Sequence, residues 1–479
     1  MTTGFDLWNF QVWEVLVTFA LLLGAMLLAN LLRRTINPLR RTLIPSPVLG
    51  GFLLLLISWL WKLIFGSPLL PPSSLEIITF HGLGLGCAAV SLKATEKIKS
   101  HRARQDIFNS ALVTVSTYML QAVLGLVVSV GLYFVLKNWP ASGILVPMGF
   151  GQGPGQAYNW GHTFEALQSS IFGSFENGTS FSLTIAAMGF IAASIGGVIY
   201  LTALRRKGHA KALAGHAEVE VTDEMKPEDV AAPDEVPLSE SMDKLTIQLG
   251  LVFVAYLISY GVISLLSWLC DLSGMGLFIE TVKPLLWGFN FIFATLGAIG
   301  LRSLLNGFRK KGIIKRKYTN DFMLDRISGF MFDLMVTAAI AAINLNAFRE
   351  SSFIIPILTL CTITAIASYF FVRHVCRGLF PKYTNESFLA LYGMLTGTMS
   401  TGVILLREID PRFETAASRN LIYQALWACL LGFPLMIFMG FVARSWGWLL
   451  LTVGVLSILF VGFYIWMRIA MRRIPKDKA

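Results

Sequence analysis

The chain has 479 residues, of which 55% are hydrophobic and only 14% charged, well short of the quarter charged that soluble domains carry, so a soluble globular protein is excluded and a polytopic membrane protein is expected. Its formal net charge of +11 does not point to nucleic acid, because the basic residues fall in short clusters between apolar runs, where the positive-inside rule places them. Cys87, Cys270, Cys361, Cys376 and Cys429 are scattered singly, without the spacing of a metal site or a disulfide framework.

Apolar runs of the roughly 20 residues needed to cross a bilayer fall at 11–32, 44–65, 75–92, 107–136 and 178–204. The first follows Asp6 and Glu14 and no small-residue cleavage site comes after it, so it is expected to be a span and not a removable signal. Segment 144–168 carries Gly149-Phe-Gly-Gln-Gly-Pro-Gly-Gln-Ala-Tyr-Asn-Trp-Gly161. Five glycines and a proline are more breakers than a membrane helix accepts, so the backbone must open here. Open backbone at membrane depth survives only where it is buried in protein or lines a wet cavity. Gln152, Gln156, Tyr158 and Asn159 would add neutral donors and acceptors to the freed peptide groups of Gly153 and Gly155. The alternative is a glycine-rich surface loop.

Residues 205–243 open with Arg205, Arg206 and Lys207 and then mix acidic residues with proline and alanine. That composition cannot bury a core and predicts a mobile cytoplasmic linker. The second half repeats the plan, with runs at 244–269, 276–300, 327–347 and 353–374, a short broken segment at 384–408, and runs at 418–443 and 446–468. The broken segment reads Tyr392-Gly-Met-Leu-Thr-Gly-Thr-Met-Ser-Thr-Gly402. Thr396, Thr398, Ser400 and Thr401 crowd a turn bounded by Gly393, Gly397 and Gly402. Hydroxyls and freed carbonyls are hard ligands of the kind sodium takes, and N–H groups at a half-helix start suit a carboxylate. Helix-capping hydroxyls are the plainer explanation.

The basic clusters set orientation. Arg33, Arg34, Arg40 and Arg41, then Lys93 to Arg104, Arg205 to Lys207, Arg309 to Lys317, Arg373 with Arg377, and Arg468 to Arg473 all fall on one side, which puts the N-terminus outside and the C-terminus in the cytoplasm. Segment 144–168 then dips in from outside and 384–408 from the cytoplasm. The expected fold is all-α: two inverted repeats of about five transmembrane helices, each with a re-entrant hairpin, plus one extra C-terminal helix. The expected divisions are 1–204, the linker 205–243, 244–443 and 444–479. Inverted repeats with broken elements are the plan of secondary transporters.

At these residues the chain resembles the sodium/glutamate symporter family. Ile44-Pro-Ser-Pro-Val-Leu-Gly-Gly51 is similar to that family's Ile-Pro-x-Pro-Val-x-Gly-Gly word, and Gly84 to Leu92 to its Gly-Leu-x-x-x-x-x-Ser-Leu word. Gly151 to Ala157 falls where the family has Gly-His-Gly-Thr-Gly-Ala-Ala, and Gly393 to Thr401 where it has Gly-Phe-Gly-Leu-Gly-Ala-Thr-Pro-Thr. The resemblance implies ten or so helices, two re-entrant hairpins enclosing the substrate, a homodimer and elevator-type alternating access driven by sodium; the expected location is the inner (plasma) membrane. Gln152, Pro154, Leu395 and Met399 depart from the family pattern at the proposed contacts, so a related organic anion competes with glutamate.

The expected substrate contacts are Gly153, Gly155, Gln156, Tyr158, Asn159, Thr396, Gly397, Thr398 and Arg407; the expected sodium ligands are Ser91, Gln152, Asn344, Ser400 and Thr401. Arg407 could clamp a carboxylate or sit at the membrane rim, and Ser91, Asn344 and Asn346 could equally bridge helices. Asp333 is costly in an apolar run and suspect for that reason, against a structural pair with Arg326; His81 reads first as a core histidine. No nucleophile elbow, metal cluster or phosphate-binding lysine motif argues for an enzyme, and no cofactor beyond sodium is expected. A channel would call for one repeated filter. The expected function is sodium-coupled symport of glutamate or a related carboxylate, with a proton-coupled or uncoupled organic-anion carrier as the alternative.

Overall fold

The computed structural model describes residues 6–93, 98, 100–167, 171–206, 242–276 and 278–473. Of the expected linker, only Arg205, Arg206, Met242 and Asp243 lie among them. The described chain is helical throughout: α1 Phe10–Thr35, α2 Asn37–Arg41, α3 Ser46–Phe65, α4 Pro72–Leu92, α5 His101–Leu136, α6 Val146–Phe150, α7 Pro154–Glu165, α8 Gly178–Arg206, α9 Lys244–Ser273, α10 Lys283–Gly288, α11 Asn290–Lys310, α12 Asp321–Ala341, α13 Ser351–Leu379, α14 Thr384–Thr396, α15 Met399–Arg407, α16 Ala416–Tyr423, α17 Ala425–Met439 and α18 Trp446–Arg472.

Nine of these, α1, α3, α4, α5, α8, α9, α11, α13 and α18, are long and apolar enough to cross a bilayer; α16 and α17, bent by 47°, are together as apolar, as a broken span or a re-entrant loop would be. The chain is therefore an all-α, multi-pass membrane protein. Helix α12 has the length of a span but carries Asp321, Asp325, Arg326 and Asp333. Its apolar run was expected to reach 347, yet the helix stops at Ala341 and a 3₁₀ turn, Leu345–Arg349, follows, with the Asn344 side chain accepting from the Asn346 N–H. The run expected at 276–300 is also broken. A π turn, Phe278–Val282, and α10 precede a bend at Phe289, and α11 continues past the apolar run through Arg302 and Arg309. Pro284 has no N–H to give a helix ladder, whereas arginines are good helix formers and extend α11 at no cost.

Contacts divide the chain into two compact units. One comprises Met1–Glu76, Ile98–Ala214 and Val336–Ala479, the other Ile77–Lys97 and Gly215–Met335. Their boundaries fall inside α4 and α12, so each unit draws on both halves of the sequence.

The second unit packs four helices on small residues. Leu85, Ala88, Ala89 and Leu92 of α4 meet Val252 and Ala255 of α9, Ala294 and Ala298 of α11, and Leu324 and Ile327 of α12. Gly84 sits against the Tyr256 ring and Gly86 against Phe332; without side chains there, backbones approach as membrane helices require. Buried Gln248 uses both ends of its amide, donating to the Tyr318 carbonyl at 2.7 Å and accepting from the Asn320 N–H at 3.0 Å.

The first unit is assembled on α5, which is 36 residues long and buried along most of its N-terminal two thirds. Helices α13, α16, α17 and α18 pack along it. Phe108 meets Trp427 and Trp466 edge-on or tilted at 5.4 and 5.7 Å, and Tyr133 meets Trp446 at 5.4 Å. The C-terminal helix α18, which had no role in the sequence, therefore covers a face of α5.

Candidate functional site

Both broken segments belong to the first unit. In the first hairpin a 3₁₀ turn, Ser142–Leu145, runs into α6. The chain leaves the helix at Gly151 and re-enters at Pro154, with Gly153 between them at φ +83° and ψ −176°. Only glycine enters that region without strain. Pro154 is suited to the first helical position because it has no N–H to leave unpaired. No side chain caps α7, so the N–H groups of Gly155 and Gln156 face out of its positive end.

The second hairpin has the same grammar from different residues. Helix α14 ends at Thr396, Gly397 and Thr398 are non-helical, and α15 starts at Met399 with no side-chain cap. The N–H groups of Met399, Ser400 and Thr401 thus form a second open helix start. The Thr398 and Thr401 hydroxyls lie 3.3 Å apart, while the Thr396 hydroxyl turns back to the Tyr392 carbonyl at 2.7 Å.

The two breaks meet. A side chain at Gly153 would reach within 3.1 Å of the Thr398 methyl and 4.0 Å of the Gly397 carbonyl. Helix α8 and both hairpins meet through small residues from each side: Gly149 of α6 packs against Ile185 and Ala186, Gly161 of α7 against Ser182, and Gly189 and Gly196 of α8 against the Thr396 carbonyl and Tyr392. Helix α5 ties the freed carbonyls. The Tyr118 hydroxyl donates to Gly151 at 3.0 Å, and one turn on, the Gln121 amide donates to Leu395 at 3.0 Å. One helix face thereby satisfies an acceptor that each break releases.

The structure brings Gly153, Gly155, Gln156, Thr396, Gly397, Thr398, Ser400 and Thr401 to this junction or to the first turns leading from it. Gln156 is 2% exposed and neither of its amide atoms bonds another protein group, which leaves a donor and an acceptor of the first break for a ligand. Gln152 sits in the first break, half-buried, with its N–H on the Pro147 carbonyl. Tyr158 lies one turn further along α7, its hydroxyl 3.4 Å from Glu76 and its ring stacked on His162; Asn159 beside it is 4% exposed. Neither the family models nor the curated proteins searched match this chain.

Three expected residues stand elsewhere. Arg407 is exposed at the far end of α15, about 12 Å along the axis from the break, with its guanidinium 5.5 Å from the Phe413 ring. Asn344 caps the turn after α12, where its N–H bonds Ser180 and its amide bonds Asn177. Ser91 belongs to α4 in the other unit. Tyr118 and Gln121 were missed altogether. Their only signal in the sequence was polarity inside the apolar run 107–136, which many span residues share.

Proposed function

We propose that the chain is a secondary active transporter that carries a small carboxylate in symport with sodium, glutamate or a related organic acid being the substrate. The observation that carries this reading is the meeting of two uncapped helix starts, at Pro154 and Met399, beside the unpartnered Gln156 amide. Two convergent positive helix ends in a buried, neutral setting favour an anion and need no arginine to hold it. The hydroxyls of Thr398, Ser400 and Thr401 and the carbonyls at the breaks supply neutral oxygens for a sodium ion.

In this reading Gly155, Gln156, Met399 and Ser400 N–H groups bind the carboxylate, and the Gln156 side chain, Tyr158 and Asn159 select the rest of the molecule. Chemistry on the substrate is not part of the mechanism. The two hairpins enter from opposite faces of the plasma membrane, the repeats they belong to are inverted, the N-terminus is outside, and transport proceeds by elevator-type movement within a homodimer. The resemblance to sodium/glutamate symporters supports the same assignment through the words around Pro45, Gly84, Gly153 and Gly397.

Uptake by purified protein in proteoliposomes tests it. A panel of labelled carboxylates is offered with an inward sodium gradient and again with potassium on both sides. Sodium-dependent accumulation of one compound is expected. Accumulation that follows a pH gradient and ignores sodium would move the coupling to protons, and no accumulation of any carboxylate by folded protein would overturn the carrier reading.

A further inference from the structure

Gln121 is fully buried in α5. Its amide nitrogen donates to two acceptors, the Leu395 carbonyl and the Ser368 hydroxyl, each at 3.0 Å. A carbonyl can only accept, so Leu395 decides which end of the amide faces it and directs the side-chain oxygen away. That oxygen is buried and has no partner. Leaving a buried acceptor unpaired costs about 1–3 kcal/mol, so a group locked in this orientation calls for a donor or a cation at its oxygen.

The surroundings favour a cation. Leu395 and Thr396 are the last residues of α14, whose C-terminal end carries the negative pole of the helix, and the break at Gly397 frees carbonyls there. Gly189 of α8 lies directly against the Thr396 carbonyl, where a Cβ would strike the oxygen, so the end of α14 is held close to α8. Amide and peptide oxygens are neutral, hard ligands that can replace the water shell of a monovalent ion. We propose that the Gln121 side-chain oxygen, at the carbonyl-bearing end of α14, is a ligand of the coupling sodium ion. This rests on the sodium-coupled reading above and adds a ligand from α5 to the hairpin hydroxyls.

The site also explains how an ion could act on the substrate. Gln121 holds Leu395, two residues before Gly397, and Tyr118 on the same helix face holds Gly151. A cation drawn to the Gln121 oxygen would fix the end of α14 and with it the start of α15, whose N–H groups are offered to the carboxylate.

Equilibrium binding of radiolabelled sodium to the purified full-length protein, with choline replacing sodium at constant ionic strength, is the test. The natural protein is expected to bind sodium, and Gln121→Leu to bind it roughly tenfold or more weakly. Gln121→Asn, which keeps the amide but withdraws its oxygen by one methylene, is expected to lose a similar factor and serves if the leucine variant does not fold. Sodium binding by either folded variant equal to that of the natural protein, or none by the natural protein above choline, would overturn the site. The two proposals fail separately: sodium binding that depends on Gln121 without carboxylate uptake removes the carrier reading alone, and sodium-driven uptake unchanged in both variants removes the Gln121 site alone.

Discussion

Gly153 is the residue on which the junction turns. Its φ of +83° with ψ near 180° belongs to a region that a Cβ makes costly by about 1–3 kcal/mol, and a Cβ there would also approach Thr398. Gly153→Ala is therefore expected to express and insert but to lose most of its carboxylate uptake, with a lowered unfolding temperature; proteoliposome uptake and thermal melting in detergent measure both. Unchanged uptake would mean that the breaks need not touch. Gly153 and Pro154 stood out in the sequence because glycine and proline density is a local property. Tyr118 and Gln121 did not, because a polar side chain inside an apolar run looks the same whether it bridges two helices or holds the carbonyl of a broken one.

At the scale of elements, the second hairpin carries a half-buried carboxyl on its exit side. Glu408 follows α15, and burial raises its carboxyl above the usual range despite the opposing charges of Arg205 at the end of α8 and Arg33 at the end of α1. A carboxyl raised on folding contributes stability that is complete below the unfolded value and is lost as pH rises through the folded one. The protein should accordingly melt at a lower temperature as pH climbs from acid to neutral, and Glu408→Gln should flatten that dependence. Melting curves across that range decide it; an unaltered slope would show that another group sets the pH response. The sequence made α14 and α15 legible as short arms around Gly397. It could not show that the Gln424 amide, buried at the bend between α16 and α17, accepts from Thr114 of α5 at 2.6 Å and reaches the Met394 sulfur at 3.2 Å.

For the whole molecule, the reading of two hairpins reached from opposite faces is testable through access. In a cysteine-free background, single cysteines at Gln156 and Thr398 are expected to label from opposite sides of the membrane, with rates that change when sodium or substrate is added. Gln156 is almost wholly buried, so its labelling reports opening of the junction and not surface exposure. Rates indifferent to both ligands would remove the junction from the transport path.

Composition, run length and breaker density are local quantities, and they alone determined that this is a polytopic helical membrane protein with breaks at 149–161 and 393–402: apolar length sets what can span, and glycine with proline sets where a helix cannot continue. Where a helix stops was less legible, as at Ala341 and Phe289, because capping and bending depend on neighbours. Only the tertiary structure decided that Gly153 meets Thr398, that α5 supplies the partners of both freed carbonyls, and that Ser91 and Asn344 fall in different units. Those facts depend on which distant surfaces fit, through the absent side chains of Gly149, Gly161, Gly189 and Gly196, and no period or run within one segment of chain records which partner will fill the space.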